Sequence, residues 1–381
     1  MHSPVALADH GGLTAQRAAF SAPRVAIVHY WFVAMRGGER VVERLLHLYP
    51  DADIFTNVVD PGKLSDRLAA APIKAGFVDR LPFSRRLYQY YLPLMPMALE
   101  GLDLSDYDLV ISSESGPAKG VITRPDATHL CYCHSPMRYL WDHYHQYRAA
   151  ASPLARGAMP YLYHRLRQWD VASSARVDKF IANSSFIQRR IRKVWRREAE
   201  VVHPPVETQL FGKSDDVGDS YLWVGQMVPY KRPEIAVEAF TANGLPLTMV
   251  GTGSMLNRLK AMAGPNITFI DRLDFASLRR AYARCKAFVM TAEEDFGITP
   301  VECMASGRPV VAYGGGGALD TVVPGVTGLF FDRQDASSLA AAVGEMESFL
   351  TEFDPDKAIA HAAHFSSDCF DRRFSRVVSA L

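Results

Sequence analysis

Glu294-Asp295-Phe296-Gly297-Ile298-Thr299-Pro300-Val301-Glu302 sets two carboxylates eight positions apart, across what reads as a strand end, a glycine turn and a helix start. An apolar run at 287–290 precedes it, so the segment leaves a buried strand. Thr299, Pro300 and Glu302 then read as N-cap, N1 and N3 of a helix. Such a junction points backbone N–H groups and the positive end of a helix dipole into a crevice, which suits a phosphate-bearing ligand. A second strand follows at 309–313 and ends in Gly314-Gly315-Gly316-Gly317. Two such junctions side by side suggest a site for a nucleotide-linked sugar. Glu302 also has a plainer reading, because an N3 glutamate can serve only to close a capping box.

Outward from this stretch, strands and helices alternate throughout. Residues 24–32 (R-V-A-I-V-H-Y-W-F) form a buried first strand, Gly37-Gly38 lies in the loop after it, and an amphipathic helix covers 39–48. Further strands are expected at 108–112, 128–133 and 179–182, and Ser185 with Gln188 reads as a capping box opening a helix to Trp195. The pair Pro204-Pro205 favours an extended link. The pattern then restarts, with strands at 221–224, 247–250, 267–270, 287–290, 309–312 and 328–331 and helices between them. Alternation of this kind implies parallel sheets with right-handed crossovers. Two restarts of similar length predict an α/β chain of two doubly wound domains facing each other across a cleft.

The run E-D-F-G-I-T-P-V-E-C-M-A-S-G-R-P-V-V with the glycines behind it resembles the E-x7-E signature of the family 4 retaining glycosyltransferases. The resemblance covers about 24–378 and implies the GT-B fold, with two Rossmann-like domains. It places an acceptor domain at 1–203, a nucleotide-sugar domain at 204–364, and a last helix at about 365–381 packed back on the first domain. By the same resemblance, Glu294 contacts the donor sugar and Glu302 the ribose hydroxyls, while Phe296, Gly297 and Ile298 lend N–H groups near the sugar and diphosphate. In V-G-Q-M-V-P-Y-K-R-P, Lys231 matches the lysine that relatives bring to the diphosphate. Gln226 stands where many carry an arginine, a departure for which Arg232 could compensate. Gly251 and Gly253 after the next strand, and the backbone at Leu273, fall at further donor contacts. A G-x-G, however, is equally explained by a tight turn.

On the other side of the cleft, Gly37 and Gly38 match the family's glycine pair approaching the diphosphate. His134, in C-Y-C-H-S-P, matches the histidine facing the donor sugar, although a buried core histidine is the bland alternative. His134 and Glu294 are thus the catalytic candidates, the others donor-binding. Asp320 is given no role. Front-face departure and attack with retention of configuration is the family's expected course. C-H-S-P-M-R-Y-L-W-D and V-P-Y-K-R-P are similar to bacterial mannosyltransferases that build polysaccharide on polyprenyl diphosphate carriers. GDP-mannose is therefore the first donor expected and a UDP-sugar the second, with a glycan or lipid-linked glycan as acceptor. A nucleotide-sugar epimerase or hydrolase on the same fold, and a non-catalytic nucleotide-sugar-binding scaffold, stay open.

Composition sets bounds on these readings. The chain has 381 residues, a net charge of +1 and 48% hydrophobic residues, as expected of a globular protein of two or three domains. No apolar run is long enough for a membrane span, and the first 23 residues lack the pattern of a signal peptide and read as a small-residue tail. Five scattered cysteines suit reduced thiols in a cytoplasm. Asp51-Ala52-Asp53 spells D-x-D but reads as a turn, and no metal or other cofactor is expected. Basic and aromatic residues crowd 80–96, and eleven Lys or Arg stand against two Asp between 156 and 197. Such asymmetry suits peripheral contact with an anionic membrane at its cytoplasmic face, with a solvated helix face as the plainer reading. No nucleic-acid motif is present.

Overall fold

The computed structural model describes residues 23–381, so the reading of 1–22 as a tail lies outside the described residues. Two wholly parallel sheets carry the fold. The first holds β1 (Val25–His29), β2 (Asp53–Thr56), β3 (Ile73–Ala75), β4 (Leu109–Glu114), β5 (Thr128–Cys133), β6 (Lys179–Ala182) and β7 (Ala199–Val201), in the spatial order 3-2-1-4-5-6-7. The second holds β8 (Tyr221–Val224), β9 (Leu247–Val250), β10 (Ile267–Ile270), β11 (Phe288–Met290), β12 (Val310–Tyr313) and β13 (Gly328–Phe331), in the order 10-9-8-11-12-13. Every residue of β1, β4 and β11 is buried, which is what helices on both faces of a parallel sheet require. The expected GT-B arrangement of two doubly wound domains is what the structure has.

Strand order reverses between β1 and β4 in the first sheet and between β8 and β11 in the second. Ligands of open α/β sheets bind in the crevice such a reversal leaves at the strands' carboxyl ends. The loops after β1, β8 and β11 carry Arg36, Gly37, Gln226, Lys231 and Glu294, so both topologies deliver the predicted site to one gap.

The chain crosses between domains twice. Val206 N donates to Phe365 O at 3.0 Å where the crossings run side by side. The helix Ser367–Ser379 then lies on the first domain, where Phe370, Phe374 and Val377 join Ile27, Val41, Leu45 and Tyr132 in one core. Arg44 Nε donates to Asp371 Oδ1 at 2.8 Å and fixes its register.

Several boundaries differ from expectation. The helix of the decisive stretch is Ile298–Ala305 with Gly297 as its cap, in the left-handed region at φ 90°. Thr299 therefore lies within the first turn, and Glu302 is at the fifth helical position, not the third. Ser184, not Ser185, caps the helix Ser185–Trp195, its Oγ accepting from Ile187 N at 3.2 Å. Asp53 opens β2, where Lys74 Nζ donates to its carboxylate at 3.0 Å.

Candidate active site

Glu294 sits just beyond β11, and Lys231 Nζ is 2.7 Å from its Oε1. Burial opposes the charge of Glu294, but Lys231 and Arg138 outweigh it and hold the carboxyl below its ordinary range. Lys231 is likewise penalised by burial, yet Glu294 raises its pKa. The pair is thus ionised on both sides. Glu294 lines a cavity of about 500 Å³ between the domains, together with Tyr30, Trp31, Arg36, Arg138, Tyr147 and Gln226.

Glu302 faces elsewhere. From the second turn it cannot close a capping box, and that plainer reading falls. Instead Tyr282 Oη donates to its Oε2 at 3.0 Å and Arg40 Nη1 approaches its Oε1 at 3.4 Å. Burial raises its pKa, Arg40 and Tyr282 offsetting part of the effect. It opens on a second cavity of about 260 Å³ lined by Arg40, Arg44, Phe211 and Phe275 among others. The helix Gly37–Leu48 serves both spaces, with Arg36 and Glu39 beside the larger and Arg40, Glu43 and Arg44 beside the smaller. At its start Gly37 backs onto the other domain, since a Cβ there would lie 3.1 Å from Ile298 Cδ1.

The glycines divide into two kinds. A Cβ on Gly317 would lie 2.3 Å from Phe296 Cα, and one on Gly316 2.4 Å from Glu294 O. Gly316 and Gly317 are therefore glycines because the Glu294 loop rests directly on them, and Gly317 N donates to Glu294 O at 2.8 Å. Gly251 and Gly253 were expected at the donor, but the structure gives them a packing reason. Their Cβ atoms would strike the carbonyl oxygens of Gly225 and Met227 at 1.9 and 2.3 Å, and Gly251 N is bonded to Ile270 O at 2.9 Å.

His134 directly follows β5 but is not among the residues lining the larger cavity. Its Nε2 meets Ser113 Oγ at 2.8 Å, and that hydroxyl also meets His29 Nδ1 at 3.0 Å. His29 Nε2 faces Glu39 Oε1 at 3.7 Å, while Glu39 Oε2 accepts from Arg36 N at 2.9 Å. Burial first, and His29 second, pushes the His134 pKa down to about 3, so the ring is neutral. In this arrangement His134 is the half-buried end of a chain whose other members, Ser113, His29 and Glu39, are buried behind the helix start. Gly38 roofs that chain, a Cβ there lying 2.7 Å from Tyr30 Oη and 3.5 Å from His134 Nε2.

Sequence reading missed the link between the lobes. Asp295, beside Glu294, takes Arg138 through Nε at 3.2 Å and through Nη2, and Arg190 Nη1 at 3.4 Å. Ser184 Oγ donates to Asp295 O at 2.5 Å. Arg138 is four residues past His134 in the quoted C-H-S-P-M-R-Y run, and Asp295 lies inside the E-x7-E segment, so both stood in motifs while their pairing did not. Arg232, expected as a possible substitute for an arginine at Gln226, is engaged elsewhere in this structure. Its Nε donates to Glu234 Oε1 at 2.7 Å and its Nη2 to Gln334 O at 3.3 Å, on the wall of another cavity.

Comparison with known proteins agrees with this architecture. The family model described as "Glycosyltransferase Family 4" matches residues 35–210, and "Glycosyl transferases group 1" matches residues 213–350. Each of the two models matches less than half of the chain. The chain is 31% identical to the D-inositol 3-phosphate glycosyltransferase of Acidothermus cellulolyticus over 56% of each chain. It is 38% identical to a GDP-mannose-dependent alpha-mannosyltransferase of Mycolicibacterium smegmatis over 29% of each. The chain spans about half the length of the first curated relatives it matches. Among solved structures, Anabaena HepE in complex with UDP and glucose superposes with a TM-score of 0.69 at 16% identity, covering 94% of this chain and all of that one. Sucrose-phosphate synthase from Thermosynechococcus elongatus gives 0.68 at 18% identity, covering 94% and 98%. At these identities the likeness concerns the fold.

The remaining expected residues are placed as follows. The side chain of Phe296 is buried against the domain crossing, stacked on His203 at 5.4 Å and near Phe365 at 5.6 Å, so only its backbone could face a ligand. Leu273 packs on the second domain's core just before the helix Phe275–Arg284. Asp320, given no role from sequence, ties the domains by accepting from Ser185 N at 2.6 Å and meeting His203 Nε2 at 3.1 Å. In the basic helix, Arg189, Arg192, Lys193 and Arg196 are exposed, whereas Arg190 turns inward and Arg197 donates to the carbonyls of Ser174 and Val177 at 2.7 and 2.6 Å. No helix among the described residues is long and apolar enough to cross a membrane.

Proposed function

We propose that the protein is a retaining glycosyltransferase that moves a hexosyl group from a nucleoside diphosphate sugar to a glycan or lipid-linked glycan acceptor in polysaccharide biosynthesis. The carrying observation is the ionised Glu294, braced by Lys231 at 2.7 Å and facing an aromatic wall of the opposite domain. In this reading the glutamate accepts hydrogen bonds from donor-sugar hydroxyls. The bond from the anomeric carbon to the phosphate oxygen breaks and the nucleoside diphosphate leaves. The acceptor hydroxyl attacks from the same face and gives its proton to the departing phosphate oxygen. Lys231 and the N–H groups at Gly37 and Gly38 oppose the charge that builds on that oxygen. Trp31, Tyr88 and Tyr147 supply flat apolar faces on which acceptor sugars stack.

GDP-mannose is the favoured donor because several relatives are named as GDP-mannose-dependent enzymes. A UDP-sugar is the alternative. The proposed setting is the cytoplasm, with the exposed cations Arg189, Arg192, Lys193 and Arg196 touching the inner face of the membrane. A thermal-shift screen across GDP- and UDP-sugars tests the reading. Mass action gives about 2.7 kcal/mol of stabilisation at a hundredfold excess over Kd, so one nucleotide class should stand out. If none stabilises the chain, the reading fails.

A further inference from the structure

We propose that Arg138, carried by the first domain, supplies the guanidinium charge that holds the donor's diphosphate on the second. The inference rests on the nucleotide-sugar reading above. The cavity wall where the leaving diphosphate would form bears the carboxylates Glu294 and Asp295, both of which repel it. Lys231 alone does not reverse that field, because its one charge cancels only that of Glu294, at 2.7 Å, and leaves Asp295. Gln226, on the same wall, is exposed and uncharged. Arg232 is held away by Glu234 and Gln334.

Arg36 also lines the cavity but is exposed, whereas Arg138 is held in place. It lines the cavity with only 17% of its side chain exposed, so its charge is little screened. Its Nε and Nη2 both go to Asp295 Oδ1, which fixes the plane of the guanidinium. Among the described residues Nη1 has no hydrogen-bond partner and is free to donate to a phosphate oxygen. Arg138 also lowers the pKa of Glu294, so its field reaches the atoms at issue. Asp295 acts as its positioning residue and couples arrival of the first domain to completion of the phosphate site. Removing Arg138 leaves Asp295 with Arg190 at 3.4 Å, so the loop keeps a partner.

The experiment is calorimetric titration of the full chain with GDP and UDP, and with guanosine and uridine as diphosphate-free probes. Arg138→Gln should weaken the preferred nucleoside diphosphate about tenfold or more, the worth of one charge-assisted bond, and leave the matching nucleoside within about twofold. Gln226→Arg in that background should restore most of the loss. Asp295→Asn should weaken binding less than Arg138→Gln. The proposal is overturned if Arg138→Gln leaves diphosphate binding unchanged or weakens the nucleoside equally. It is also overturned if Asp295→Asn costs as much as losing the arginine, which would make the pair only a latch, or if Gln226→Arg restores nothing. Binding of neither GDP nor UDP by the unaltered chain would instead refute the nucleotide-sugar reading, and this inference with it.

Discussion

Glu294→Gln removes one charge and almost no volume. Lys231 Nζ stands 2.7 Å from Oε1, and both side chains are about three-quarters buried, at 25% and 22% exposure. The amide oxygen of glutamine can still accept from the lysine, so the loop should hold its place. Stability should fall by about 1 kcal/mol, or roughly 2–4 °C for a domain of this size. The catalytic loss should be larger. An anionic acceptor for a sugar hydroxyl is worth about 1.5–3 kcal/mol, which corresponds to roughly tenfold to hundredfold in kcat/KM. The partners act as a unit, so Glu294→Gln with Lys231→Gln should lose little more than the worse single variant. Lys231 and Arg138 hold the carboxyl below its ordinary 4.5, so its ionisation should not limit activity above that pH. The assay is transfer from a radiolabelled nucleotide sugar, with circular dichroism melts of the same preparations. A Glu294→Gln enzyme with unaltered kcat/KM would refute the proposed sugar contact.

Four further perturbations have defined outcomes. Gly317→Ala places a methyl 2.3 Å from Phe296 Cα, so it should cost about 1–3 kcal/mol by overpacking and lower activity more than a surface alanine does; an unchanged melt would show that the loop yields freely. Burial pushes His129 down to about 4, as it pushes His134 to about 3, while the unfolded chain protonates both near pH 6.5. The folded state then binds fewer protons, and stability should fall as pH drops from about 6.5 toward 4. Glu114, raised to about 7 by burial, works the opposite way between 4.5 and 7. His129→Gln should flatten the slope of Tm against pH in that acid window, and an identical slope would contradict the assignment. Ending the chain at Ser366 strips Phe370, Phe374 and Val377 from the first domain's core, a loss on the order of 5 kcal/mol; a truncated chain with an unshifted first-domain melt would reject the return packing as stabilising. Replacing Arg189, Arg192, Lys193 and Arg196 together by Gln should lower co-sedimentation with anionic vesicles while leaving donor binding intact, and equal sedimentation would favour a merely solvated face.

Much of this architecture was legible because strand periodicity and apolar runs are local. β5, β6, β8, β9, β10 and β13 fall at the residues read from sequence. The three-residue strands β3 and β7 were not read, being short edge strands with an exposed middle residue. The helix Pro153–Ser174 was seen only as basic residues. Pro160 interrupts its pattern, and few of its 22 residues face the core. Glu294 and Lys231 were legible as motif residues, and the structure adds their contact. The Asp295–Arg138–Arg190 cluster was not, because residues 105 and 157 positions apart in sequence meet only when two lobes do. Gly251 and Gly253 show the converse, since a glycine admitting another backbone looks in sequence like one admitting a ligand.

The central claim is that the two lobes hold an activated sugar between them. The most direct measurement is a crystal structure with the donor that the thermal-shift screen selects. The account predicts the hexose within hydrogen-bond reach of Glu294 and the diphosphate between Lys231, Arg138 and the N-terminus at Gly37-Gly38. A nucleotide bound outside the interlobe gap, with the Glu294–Lys231 pair facing only water, would contradict it.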